Sequence, residues 1–180
     1  LSLGYHDIVA ICDRGYISKD NLIDFDNASI GFLLLLKAGD ATKYLIAKYG
    51  KKVRLRSDAY IEEHDLYGLT VRHRLFGNSG PCRYLHIIWS QEIADKERRS
   101  IMRTVSSIEK SLAKMVKKGT HLSVQKEKEY GKYFDIKIFP RTRKIKSFER
   151  NSKAIDAAIE LEGFHILTSS DEMTCSEAID

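Results

Sequence analysis

Ile8-Val-Ala-Ile-Cys12-Asp13-Arg14-Gly15-Tyr16 is the stretch on which the reading of this chain turns. Five nearly continuous apolar residues bounded by a turn signal predict a short strand buried on both faces. Asp13 follows at its carboxyl end, and Gly15 allows the chain to turn sharply. Ser18 then supplies an N-cap for a helix running to about Phe25, which Asp26-Asn27-Ala28-Ser29 ends before a second apolar run, Ile30 to Leu36. Strand, carboxylate, short helix and buried strand form an α/β core pattern. The residues alone leave two roles open for Asp13. It points into the crevice where open α/β sheets hold their ligands, or it merely starts a turn with Gly15.

Beyond Gly39 the texture changes to aromatic and β-branched stretches mixed with charge. Leu66 to Phe76 and Arg83 to Ser90 alternate in polarity around Gly77-Asn-Ser-Gly-Pro81, which predicts a hairpin with a longer loop. Asp95 to Lys118 reads as the clearest helix: Ile101, Val105, Ile108, Leu112 and Met115 recur at spacings of four and three, and Gly119 can end it. That narrow seam is a packing face, too short to argue for a coiled-coil partner. Tyr133 to Phe139 alternates again, Ser152 is the expected cap of a helix to about Leu161, and Phe164 to Ser169 is another strand. Thr174-Cys-Ser-Glu177 has capping-box spacing and opens a last helix. No internal repeat or low-complexity tract is present.

The chain of 180 residues is 43% hydrophobic, enough for one sizeable core or one core with a large insertion. Its longest apolar run is far too short to span a bilayer, and no signal-like segment opens it, so neither secretion nor membrane anchoring finds support. Cys12, Cys82 and Cys175 are odd in number and widely spaced, which fits neither a disulfide framework nor a zinc site and suits a reducing cytoplasm. The six histidines lie in separate segments without ligand spacing and read as structural. No P-loop, GxGxxG, HExxH, EF-hand loop or GxSxG motif appears.

Net charge is +5, and its distribution matters more than its size. Residues 96–150 hold 17 Lys/Arg against 6 Asp/Glu, whereas residues 151–180 hold 1 against 7. A block this basic can follow a phosphate backbone, although a soluble lysine-rich helix face gives a similar count. The candidate contacts are Lys114, Lys117 and Lys118 at the end of the long helix, and Arg141, Arg143, Lys144 and Lys146 after the later strand. The helix group also suits the negative end of the helix dipole, so the second group is the firmer expectation.

Ile11-Cys-Asp-Arg-Gly-Tyr-Ile-Ser-Lys-Asp-Asn21 resembles the segment around the second catalytic aspartate of insertion-sequence DDE transposases, in which an apolar strand runs into Asp-Arg-Gly-aromatic. Gly31-Phe-Leu-Leu-Leu-Leu-Lys37 is similar to the next core strand of that family. Gly163 to Ser169, with Asp171 and Glu177-Ala-Ile-Asp180, resembles the stretch before its Tyr-Arg-Glu-Lys signature. The resemblance implies a partial ribonuclease H-like core interrupted by a large strand-rich α+β insertion. Residues 1–38 would be core, 39–162 the insertion and 163–180 the return to the core.

The same resemblance implies transposon-end DNA as partner and a homodimer of the intact enzyme as the candidate assembly. It also implies a cytoplasmic, nucleoid-associated setting in a bacterium or archaeon. Two Mg²⁺ ions would do the phosphodiester chemistry, with Asp13 as metal ligand, Arg14 bracing the loop beside it and Phe164 standing where some relatives stack a tryptophan on an extruded base. The first aspartate and the final glutamate of the triad match nothing in the sequence, so the fragment is expected to be inactive alone. Two rival readings stand beside this one: a non-catalytic nucleic-acid-binding or interaction module, carried by the basic block, and a phosphotransfer protein using Asp13. Within the latter class, haloacid-dehalogenase-like phosphatases usually carry a second aspartate two residues on, where this chain has Gly15.

Overall fold

The computed structural model describes residues 9–12, 15, 17–75 and 80–180. It is a mixed α/β protein that divides into two compact units, residues 1–91 with 163–180, and residues 92–162. The division falls well beyond residue 38, where the sequence reading ends its core segment. Residues 39–91 belong with the first unit because their strands join its sheet.

The first unit is built on a six-stranded sheet. Its strands are β1 (Val9–Cys12), β2 (Gly31–Leu35), β3 (Tyr60–Ile61), β4 (Leu66–Arg74), β5 (Cys82–Trp89) and, from the far end of the chain, β8 (Phe164–Ser169). The spatial order is β1-β2-β8-β5-β4-β3. β1 and β2 run parallel, with Val9 opposite Gly31 and Cys12 opposite Leu34, and all other neighbours are antiparallel. The parallel pair needs a crossover, which helix α1 (Lys19–Asn27) provides. Its N-cap is Ser18, whose hydroxyl accepts from the Asn21 N–H at 3.1 Å.

β1 is not the doubly buried strand its apolar run suggests. It is an edge strand, and Val9 and Ile11 remain 51% and 80% exposed. Continuous hydrophobicity marks a strand that can be covered, and among the described residues little covers this one.

Helix α2 (Asp40–Leu55), which the sequence reading passed over, packs against Phe164. A Cβ on Gly50 would come within 2.9 Å of that ring. Helix α6 (Cys175–Ile179) lies against Gly68, where a Cβ would meet Cys175 at 2.7 Å. Both approaches depend on glycine having no side chain. Phe164 pairs across the ladder with Trp89 and so with Tyr67, next to Gly68. Successive strand residues point to opposite faces, so α2 and α6 cover opposite faces of the sheet. The capping box of α6 is formed in both directions between Thr174 and Glu177.

The second unit contains α3 (Gln91–Lys118), α4 (Val124–Tyr130), the antiparallel pair β6 (Phe134–Ile138) and β7 (Ile145–Arg150), and α5 (Ser152–Glu160). Val105, Ile108 and Leu112 from α3 meet Leu122, Tyr130, Phe134, Ile145 and Ile155 in one core. The α3 seam is thus a packing face within this unit. Gly119, at φ 62°, ends the helix in the left-handed conformation that glycine adopts without strain. The cap of α5 is Asn151, whose side chain accepts from the Ala154 N–H at 3.0 Å, rather than the expected Ser152. Among the described residues no helix is long and apolar enough to cross a membrane.

Candidate functional site

Asp13 and Arg14, the residues on which the metal-site expectation rests, lie outside the described residues. What precedes them is defined. β1 and β2 run side by side in the same direction, so Cys12 ends at the level of Leu34, and Asp13 is the next residue along the chain. The Leu36 N–H donates to the Ile166 carbonyl at 2.8 Å, so the carboxyl ends of β1 and β2 and the amino end of β8 share one end of the sheet.

Phe164 stands at that end but faces inward. It is 9% exposed, with its ring 6.3 Å from Trp89, 5.7 Å from the Arg54 guanidinium and tight against Gly50. These contacts make it a core aromatic, and stacking on a base would require it to leave them.

A cleft of about 480 Å³ opens at the opposite end, lined among others by Val9, Gly31, Asp26, Ser170 and Asp171. Asp26 there pairs with the nearly buried Arg83, and the Ser170 hydroxyl donates to Asp171 at 2.7 Å. Its carboxylates are therefore already engaged. Among the described residues no group of three or more His, Cys, Asp or Glu could hold a metal ion.

Sequence reasoning passed over a buried polar chain in the middle of the sheet. The Ser169 hydroxyl donates to the Asp171 carbonyl at 2.7 Å, so its oxygen is left to accept from His86 Nε2 at 2.9 Å. His86 Nδ1 then carries the lone pair and accepts from Thr70 Oγ1, also at 2.9 Å, and Cys175 Sγ lies 3.5 Å beyond. His86 is fully buried, and burial holds its pKa below the usual histidine value. The imidazole is a neutral hydrogen-bond relay that ties β4, β5, β8 and the start of α6 together. A histidine within an alternating strand was the available signal, and it is indeed structural.

In the second unit Arg143 differs in role from the other expected basic residues. Arg143 is a strut: its Nε donates to the Leu122 carbonyl at 3.0 Å, its guanidinium pairs with Glu127, and its backbone sits at φ 51°. Lys114, Lys117, Lys118, Arg141, Lys144 and Lys146 are exposed, and none forms an ion pair among the described residues. An isolated bridge between His121 and Lys144 brings the β6–β7 connection beside the end of α3. There Lys144 Nζ would lie 3.7 Å from a Cβ on Gly119. Lys144 and the end of α3 thus come together. Glu162, held by burial and by a hydrogen bond with Glu97, has its pKa pushed up to about 7. No family model, curated protein or solved structure matches this chain.

Proposed function

We propose that this chain is part of a DNA transposase of the DDE class, in which the first unit carries the middle of a ribonuclease H-like core and Asp13 is one of three metal-binding carboxylates. The observation that supports the reading is the parallel β1–β2 pair joined by the capped helix α1. β1 ends at Cys12, and Asp13 is the next residue in sequence after the carboxyl end of that strand, the kind of position at which open α/β sheets hold ligands. Asp13 would help hold divalent metal, with the other two carboxylates supplied from outside this sequence. Hard oxygen ligands suit Mg²⁺, which when bound activates the attacking oxygen and stabilises the departing one in phosphodiester displacement. Arg14, next to that ligand, would brace the loop.

Two measurements test this. The coding sequence on either side should contain an upstream strand ending in Asp and a downstream Tyr-Arg-Glu-Lys pattern. The 180-residue chain itself should show no Mg²⁺- or Mn²⁺-dependent nicking of supercoiled DNA, because one carboxylate cannot hold two metals in register. Nicking that Asp13→Asn abolishes would refute the idea that the site is incomplete. The alternative, a nucleic-acid-binding module without catalysis, is favoured by a separate observation: exposed lysines and arginines of the second unit that form no ion pair among the described residues.

A further inference from the structure

We propose that the outer face of α3 is a docking surface for the phosphate backbone of double-stranded DNA, formed by one row of basic side chains. At 3.6 residues per turn, Lys96, Arg99, Arg103, Lys110, Lys114 and Lys117 fall within about 60° of arc. Val105, Ile108 and Leu112, which enter the core, lie on the opposite side of the helix. The row extends for about 32 Å along the axis. That is about the length of one turn of a B-DNA duplex, roughly 34 Å.

Three observations separate this face from an ordinary solvated one. All six side chains are exposed, and none makes an ion pair among the described residues, although Arg83, Arg143 and Arg150 elsewhere all find carboxylates. Within the span of the row no acid falls on the same arc: Glu97 lies far round the helix and Glu109 is taken by Arg150. The row also places like charges at i,i+3 and i,i+4 four times, an arrangement that opposes helix stability and that a merely soluble surface avoids by interleaving glutamates.

The remaining chemistry selects the partner. Ser100, Ser106, Ser107 and Ala113 flank the row, so small side chains leave room for close approach. No aromatic residue stands on the row to stack on an unpaired base, which argues for a duplex over a single strand. The row consists of lysine and arginine alone, and their contacts to phosphate are sequence-tolerant. The choice of DNA over duplex RNA rests on the transposase reading; the surface itself does not depend on Asp13.

The test is fluorescence anisotropy of a labelled 20-base-pair duplex with the full chain at several salt concentrations. Arg103→Gln/Lys110→Gln/Lys114→Gln should flatten the log affinity against log salt slope by about 0.9 per charge and weaken binding about ten-fold or more at 0.1 M salt. Lys96→Gln/Arg99→Gln/Lys117→Gln should do the same. The exchange variant Arg103→Lys/Lys110→Arg/Lys114→Arg should bind like the parent. Lys37→Gln/Lys51→Gln/Lys52→Gln, an equal loss of charge from exposed positions in the first unit, should leave the slope unchanged. Both α3 triples should keep their helix by circular dichroism, since each relieves repulsion. An unchanged slope in the α3 triples, an equal loss in the first-unit triple, or tighter binding to duplex RNA or anionic vesicles would overturn the proposal. None of these outcomes depends on nicking, so the surface and the catalytic reading can fail separately.

Discussion

The two units solve the problem of making a core in opposite ways. In the first, β8 from the end of the chain lies between β2 and β5, so the centre of the sheet exists only after distant segments meet. In the second, residues 92–162 supply every member of the Val105–Ile155 core from one continuous stretch. Their polar interiors differ as well. The first unit buries a neutral imidazole in a hydrogen-bond relay, and the second holds the half-buried Glu162, whose carboxyl pKa is pushed up by burial and by a hydrogen bond with Glu97. Long-range pairing carries a large loop-closure cost that local packing avoids, so the second unit should be the more autonomous.

The strongest way to break this comparison is to take the chain apart. Residues 92–162 alone should fold with a cooperative thermal transition, whereas residues 1–91 alone should lack one, because β2 and β5 lose their shared neighbour. Joining residue 91 to residue 163 through a short Gly/Ser linker should restore a folded first unit. The Ser90 N–H already donates to the Gly163 carbonyl at 2.9 Å, so the cut ends lie close together. Circular dichroism melts and amide NMR dispersion of the three chains check this, and a structured 1–91 fragment would contradict it.

A smaller effect sharpens the comparison through pH. His86 has a folded pKa lowered from an ordinary value of 6.5, so the unfolded chain takes up its proton first and the first unit loses stability as pH falls below about 6.5. His73, lowered by burial and by Lys48, acts in the same direction. Glu162 behaves oppositely. Its folded pKa, about 7, lies above the ordinary 4.5, so the folded state holds the proton in that interval and the second unit weakens as pH rises from 4.5 through 7. Glu109, lowered by Arg150, adds a loss only at still lower pH. Urea melts between pH 4.5 and 7.5 on the separated units should therefore slope in opposite directions. Glu162→Gln should flatten the slope of residues 92–162, and parallel slopes would show that the buried groups do not set the difference.

The smallest test concerns one helix start. Asn151→Ala should cost about 1 kcal/mol, the usual loss on removing an N-cap, and Ser152→Ala should cost much less. Chemical denaturation of residues 92–162 measures both. Equal losses would return the cap to the position that local sequence suggested. The misreading by one residue is instructive. Asn and Ser are both good caps, and which of them takes the non-helical cap backbone depends on where β7 releases the chain: the Asn151 N–H is held by the Tyr133 carbonyl at 2.9 Å.

The sequence by itself determined what depends on neighbours a few residues away. The strands at Gly31–Leu35 and Phe164–Ser169, the Ser18 cap, the Thr174–Glu177 box, the seam of α3 and the stop at Gly119 were all legible, since side-chain period and capping chemistry are local. Helix α2 was less so: its N-cap position, Gly39, has no side chain to accept a bond, and Gly50 interrupts its pattern. Only the tertiary structure decided which strands are neighbours, because backbone hydrogen bonds carry no record of the residues that make them. That pairing made β1 an exposed edge, put residues 39–91 in the same sheet as β2, enclosed Phe164 between Trp89 and α2, and turned Arg143 into a strut on Glu127. The charge of the α3 row was written in the sequence. That it forms no ion pair among the described residues, while Glu109 and Glu127 pair with Arg150 and Arg143, was decided by the tertiary structure.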